Sequence, residues 1–194
     1  NLGWGYYHYT GDGLKAIQEY EKAMAIKKDD PLYFEELDAL YEMSNAPVEK
    51  RLALFEGHNE TVSARDNAFA RQITVLTLAG KPEKAVEYLK GRKFSYREGS
   101  SKVSDIIIDA HLMMGKKLRT GKKYDMALEE FLLARIPEEE AAGSRAGNRN
   151  IQVDYFIAKA YDALGNRTKA RKSYEQSASR EAGSTSYVKY YQAM

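Results

Sequence analysis

The stretch VDYFIAKAYDALGNRTKARKSYEQSAS, Val153–Ser179, reads as two short helices joined by a tight turn. In its first half Phe156, Ile157, Ala160, Tyr161 and Leu164 recur at spacings of three and four, so they share one helix face. Ala170, Tyr174, Ser177 and Ala178 do the same in the second half. The turn falls at Leu164-Gly165-Asn166, because a helix that ends in a left-handed residue ends most cheaply on glycine. A hairpin this small cannot bury its own apolar face. It requires copies of itself, and the rest of the chain supplies them.

Taken from the start, residues 1–28 hold a helix end, the turn Gly11-Asp12-Gly13, and a helix with Ala16, Tyr20 and Ala23 on one face. Phe34, Leu37 and Tyr41 line the next helix, Ser44–Pro47 turns the chain, and Val48, Leu52 and Phe55 line the return. Phe69, Ile73 and Leu76 precede a turn at Ala79–Pro82, with Ala85 and Leu89 after it. His111, Met114, Gly115 and Leu118 precede Gly121, and Tyr124, Ala127, Phe131 and Ala134 follow. Tyr187–Met194 begins one more helix. The position where each return helix crowds its partner carries Ala16, Arg51, Ala85, Ala127 and Ala170, at intervals of 35, 34, 42 and 43 residues. Small residues there and at Gly3, Gly115 and Ala158 allow helix axes to approach closely.

A period near 34 residues with helix-turn-helix units is similar to the tetratricopeptide family, and the resemblance covers nearly the whole chain. It implies an all-α, right-handed superhelical solenoid of about five repeats. The expected units are 1–30, 31–60, 61–92, 104–136 and 150–180, with a sixth starting at 186–194, in a single domain truncated at both ends. Asp38 and Arg51 stand where the pattern wants small residues, so Arg51→Ala is expected to be tolerated or stabilising. The excess over the standard period falls in the loops 93–104 and 136–150. Phe94–Gly99 and Ile136–Glu140 in those loops resemble landmarks of large bacterial proteins whose repeats follow a sugar-mutarotase-like domain of unknown function. Arg97 and Glu139-Glu140 depart from that pattern. The second loop, 138–150, holds no large apolar residue and is expected to be an excursion opened first by trypsin at Arg145 or Arg149.

The composition supports a packed, helical chain and narrows its chemistry. Apolar residues make up 43% and charged residues 30%, with both signs mixed, so the chain can build a core. Cysteine is absent, which removes disulfides, thiolate metal sites and cysteine nucleophiles. No apolar run is long enough for a membrane span, and no signal peptide is visible. His8, His58 and His111 lack metal-ligand spacing, and His111 reads as a packed, hydrogen-bonded core residue. Neither a nucleophile elbow nor a phosphate loop occurs. The expectation is a non-enzymatic chain without cofactor or metal.

Charge is uneven: residues 1–80 hold 8 Lys/Arg against 13 Asp/Glu, residues 81–125 hold 12 against 6, and the remainder 10 against 9. Glu83, Glu87, Glu98, Asp105 and Asp109 interrupt the basic band, which argues against nucleic acid as the partner. First helices of such a superhelix line its concave side. The repeat register then puts Trp4, Tyr7, His8, Arg71, Lys116, Arg119, Tyr155, Phe156 and Lys159 in a groove. Cations there suit an acidic or carboxylate-bearing segment, from a protein or peptide partner or from a missing part of the same chain. The alternative is an accessory region of a carbohydrate-active or sugar-binding multidomain bacterial protein.

Overall fold

The computed structural model describes residues 2–27, 29–94, 101–137, 149–180 and 191, with the side chains of 2–4 and 101–102 excepted. Among the described residues all regular structure is helical. In chain order the helices are α1 (Leu2–Thr10), α2 (Gly13–Ile26), α3 (Pro31–Met43), α4 (Val48–Phe55), α5 (Asn59–Ser63) and α6 (Asp66–Leu78). There follow α7 (Pro82–Leu89), α8 (Ser101–Thr120), α9 (Tyr124–Leu133), α10 (Asn150–Ala163) and α11 (Arg167–Ser179). The fold is therefore all-α and built of helical hairpins, as the periodicity implied. The short α5 has no periodic signal in sequence and was not foreseen. Of the expected sixth helix only Tyr191 lies within the described residues.

One backbone device ends four helices. The amide N–H of Ala46, Lys81, Lys123 and Asn166 donates to the carbonyl five residues earlier, at Tyr41, Leu76, Leu118 and Tyr161, over 2.8–3.0 Å. The residue just before each donor is left-handed: Asn45 (φ 53°), Gly80 (69°), Lys122 (59°) and Gly165 (76°). This geometry consumes carbonyls that the helix end leaves unpaired. In the fourth unit the sequence pointed to Gly121, yet Lys122 takes the strained conformation, at a cost of about 1 kcal/mol. Restarting helices are capped by side chains: Asp12 accepts from the Lys15 amide at 2.9 Å and Asn166 from that of Lys169 at 3.1 Å.

The chain divides into two compact units, Asn1–Lys81 and Pro82–Met194. In the first, Ala16, Ile17 and Tyr20 of α2 pack with Leu37, Leu40 and Tyr41 of α3. Phe34 stacks on Phe55 of α4 at 6.3 Å. The buried tyrosines keep their hydroxyls satisfied, Tyr20 donating to Glu36 at 2.6 Å and Tyr41 to Glu21 at 2.7 Å. In the second unit Ile108, Leu112 and Leu118 of α8 meet Phe131 of α9 and Val153, Phe156 and Ile157 of α10. Residues 138–148 of the second loop, Arg145 among them, lie outside the described residues, as do 95–100 of the first. The ends of the second loop are clasped: the Asn150 side chain, fully buried, accepts from the Ile136 amide at 3.0 Å and donates to its carbonyl at 2.8 Å.

All five of the crowded return-helix positions are buried: Ala16, Arg51, Ala85, Ala127 and Ala170. Arg51 corrects the sequence expectation. It is not an ill-fitting side chain but half of a buried pair. Its Nε and Nη2 donate to the two oxygens of Asp38 at 2.8 and 2.9 Å, and the Asp38 carboxylate is completely inaccessible. Arg71 of α6 donates to the same carboxylate at 2.8 Å, and Glu42 lies 3.6 Å from Arg51 and 3.2 Å from Arg71. The guanidinium at 51 thus supplies both bulk and charge to a space that alanine fills in the other units. Asp154 of α10 is the counterpart in the second unit, with Arg135 and Arg180 each at 2.9 Å.

Two stability predictions follow from these contacts. Arg51→Ala removes the bidentate partner of a buried carboxylate and should destabilise by about 3–5 kcal/mol, read as a lower urea midpoint; an unchanged midpoint would refute the pair's role. A Cβ on Gly115 would stand 2.3 Å from the Phe131 ring, which is itself fully buried. Gly115→Ala, like Ala127→Leu, should therefore cost about 1–3 kcal/mol by overpacking. Melting temperatures equal to wild type would show that the α8–α9 contact is looser than this geometry.

Candidate functional site

The nine groove residues expected from sequence fall into two groups, one in each compact unit. In the first unit Tyr7 packs against the α2–α3 core and lies edge-on to His8 at 5.5 Å, while the Trp4 side chain is outside the described residues. Arg71 is committed to Asp38 and Glu42, so its charge is already matched within the fold.

In the second unit Lys116, Arg119, Tyr155, Phe156 and Lys159 come from α8 and α10, which pack together. Tyr155 and Phe156 are each 8% exposed and belong to the core. They are adjacent in sequence but serve different neighbours. Tyr155 lies edge-on to Tyr174 of α11 at 6.0 Å, and Phe156 stacks on Phe131 of α9 at 5.5 Å. Lys116, itself half-buried, sets its ammonium 4.6 Å from the centroid of the Phe156 ring, a cation–π contact.

The electrostatics of this face are lopsided. Burial pushes the Lys116 ammonium below the ordinary lysine range; the Asp109 charge opposes this, and the Arg149 and Arg119 charges add to it. Among the described residues no carboxylate lies within ion-pair distance of Lys116, Arg119 or Lys159, and the Arg119 Nε is buried without a hydrogen-bond partner. Burial and the Asp162 carboxylate, 2.8 Å away, hold the Tyr174 hydroxyl well above its usual range. The Arg119 charge is near enough to pull it slightly back.

Sequence reasoning missed Arg149. It sits at the start of α10 and joins the two helices, donating to Asp105 at 3.0 Å, to Asp109, and to Gln152 at 3.2 Å. Placed inside a polar, glycine-containing loop, it read as a cleavage site. Two aspartates four residues apart on α8 were the available signal, since that spacing puts them on one face beside any nearby guanidinium. His111 is hydrogen-bonded to Glu130 at 2.7 Å and half-buried, in keeping with a packed histidine. Among the described residues no group of three His, Cys, Asp or Glu could hold a metal ion. No described helix is long and apolar enough to cross a membrane.

Comparison with known proteins agrees with the fold. Residues 155–183 match the tetratricopeptide repeat family model. Two crystal structures of MamA superpose on the chain, both at 16% sequence identity. One has a TM-score of 0.61 over 91% of this chain and 92% of that one; the other has 0.60 over 88% and 84%. The architecture is thus that of a tetratricopeptide-type helical solenoid. The mutarotase-like context is not shown, and most of the loop residues that carried that resemblance lie outside the described set.

The depressed Lys116 value has a definite sign in stability. Between its lowered folded value and the ordinary lysine value of 10.5 the unfolded chain binds more protons, so stability gains from this residue as pH rises through that window. At neutral pH the penalty is fully present. Urea midpoints followed from neutral pH toward 10.5 should therefore climb more in wild type than in Lys116→Met. Parallel curves would mean that Lys116 titrates as a free lysine.

Proposed function

We propose that this chain is a non-enzymatic interaction module that holds an extended, acidic protein segment on the α8–α10 face of its second unit. The reading is supported most by one observation: among the described residues Lys116, Arg119 and Lys159 have no carboxylate within ion-pair distance, whereas the neighbouring cation, Arg149, has two. An unpaired lysine in open water is ordinary. A half-buried lysine between two arginines, beside an arginine with a buried and unbonded Nε, is charge arranged at a cost that a bound carboxylate would offset. The tetratricopeptide-type fold fits this use, since its hairpins present side chains from successive helices along one surface.

The first unit has a smaller part in this reading. Arg71 drops out of the expected row of cations because Asp38 and Glu42 already neutralise it. On α1, His8 remains exposed, while Tyr7 is partly buried against the α2–α3 core. The segment bound is an acidic stretch of a partner protein or of another part of the same polypeptide.

The test uses a fluorescein-labelled peptide of consecutive glutamates and fluorescence anisotropy. Wild type should bind it, with affinity falling as salt rises. Lys116→Gln combined with Lys159→Glu should abolish binding while circular dichroism stays helical. Glutamine is chosen at 116 because a second carboxylate over the Phe156 ring would disturb the packing there. Equal affinity of the double variant and wild type would make this face merely solvated and the proposal wrong.

A further inference from the structure

The hairpin turns of the second unit share one end of their helices. α8 and α10 run parallel: Arg149, at the start of α10, donates to Asp105 and Asp109 in the first half of α8, and Lys116 further along α8 meets Phe156 further along α10. The clasp of Ile136 with Asn150 sets the end of α9 beside the start of α10. The turns at 121–123 and 164–166 therefore lie together, a helix length of roughly 20 Å from that clasp. α7 starts at the same end, since Glu83 of its first turn meets Lys117 of α8 at 2.6 Å.

This edge is basic. Lys84 of α7, Lys122 and Lys123 of one turn, and Arg167 and Lys169 at the start of α11 are all exposed. The acids that interrupt the basic band in sequence are drawn off by the fold: Asp105 and Asp109 to Arg149, toward the far end, and Glu83 to Lys117. Asp162 accepts from the Tyr174 hydroxyl at 2.8 Å, and Asp125 in the first turn of α9 tempers the edge without reversing it. Cations at a helix start oppose the helix dipole, and the first turn of α11 holds two of them and no acid. Fold stability does not explain that choice.

We propose that this edge rests on an anionic lipid surface. Helix ends brought to one level by tight turns present their charges as a row, which a plane of headgroups meets together. Met126, 49% exposed and one helical turn from Lys122, adds an apolar side chain for the interface. The rings that nucleic-acid bases would stack on are already covered: Lys84 lies 5.5 Å from the Tyr88 centroid and Lys169 5.4 Å from that of Tyr161. Headgroups, which need only the ammonium groups, suit this arrangement better. None of these residues belongs to the face proposed for the acidic segment.

The test is co-sedimentation of the whole chain with vesicles of phosphatidylcholine, alone or mixed with phosphatidylserine. Wild type should sediment with the mixed vesicles, be released by salt, and stay in solution with phosphatidylcholine alone. Lys123→Glu combined with Arg167→Glu should lower partition about tenfold or more. Its melting temperature should hold or rise, because acids at helix starts suit the dipole. Should that variant not fold, Lys122→Gln with Lys169→Gln decides, with a smaller loss of partition expected. Sedimentation with neither vesicle, equal sedimentation with both, or unchanged partition in a folded variant would overturn the proposal. Binding of wild type to a DNA duplex but not to the mixed vesicles would make the edge a nucleic-acid surface and overturn it as well.

Discussion

Between α8 and α9 the Phe131 ring fills the space where a side chain at residue 115 would begin. That contact is the tightest instance of the constraint on every hairpin here. Two helices joined by a few residues bury enough surface to stay together only if their axes come close, and they come close only where one side chain is nearly absent. Ala16, Ala85, Ala127 and Ala170 meet the same requirement with a methyl group, and each is essentially inaccessible. The left-handed turns follow from this, because a wide loop would splay the helices that these positions draw together.

At residue 51, where the small residue is missing, the space is filled by charge, and a similar cluster stands in the second unit beside small residues that are kept. Asp38 with Arg51 and Arg71, and Asp154 with Arg135 and Arg180, place a buried aspartate of a first helix between two arginines. Such clusters contribute little net stability over an apolar filling, but each member is costly to remove alone. They tie each first helix to its surroundings on two sides: α3 to its hairpin partner α4 and to the more distant α6 in one unit, and α10 to the segment after α9 and the end of α11 in the other. Lys116, Arg119 and Lys159 of α8 and α10 differ in kind, because among the described residues no carboxylate lies within ion-pair distance of them. Arginines that hold the fold and cations that face outward look alike in composition and separate only by partner.

The repeat was legible because its signal is local. Spacings of three and four, glycine at two turns and alanine at the return positions fix the helices without long-range information. The positions of Lys116, Arg119 and Lys159 on first helices were legible for the same reason, since they follow from counting. What escaped the sequence depends on pairs. Arg51 looked misplaced because its partner, Asp38, is 13 residues away on the facing helix. Two unsuitable residues of opposite charge in facing helices are better read together than apart. Tyr155 and Phe156 looked like groove surface because neither periodicity nor composition shows that α9, α11 and Tyr191 cover them. Arg149 lay in a stretch without periodicity, where helix register cannot be counted.

The clasp between Ile136 and Asn150 bears on how the chain tolerates change. One asparagine side chain makes both bonds of a backbone pair, so the α9 and α10 ends are registered directly to each other. With the ends registered in this way, a longer connection costs little: doubling the length of a loop adds only about 0.6 kcal/mol of closure cost. The junction is thus a port in the architecture. A longer segment, even a folded guest domain with adjacent ends, could be carried there while the repeats on either side keep their spacing.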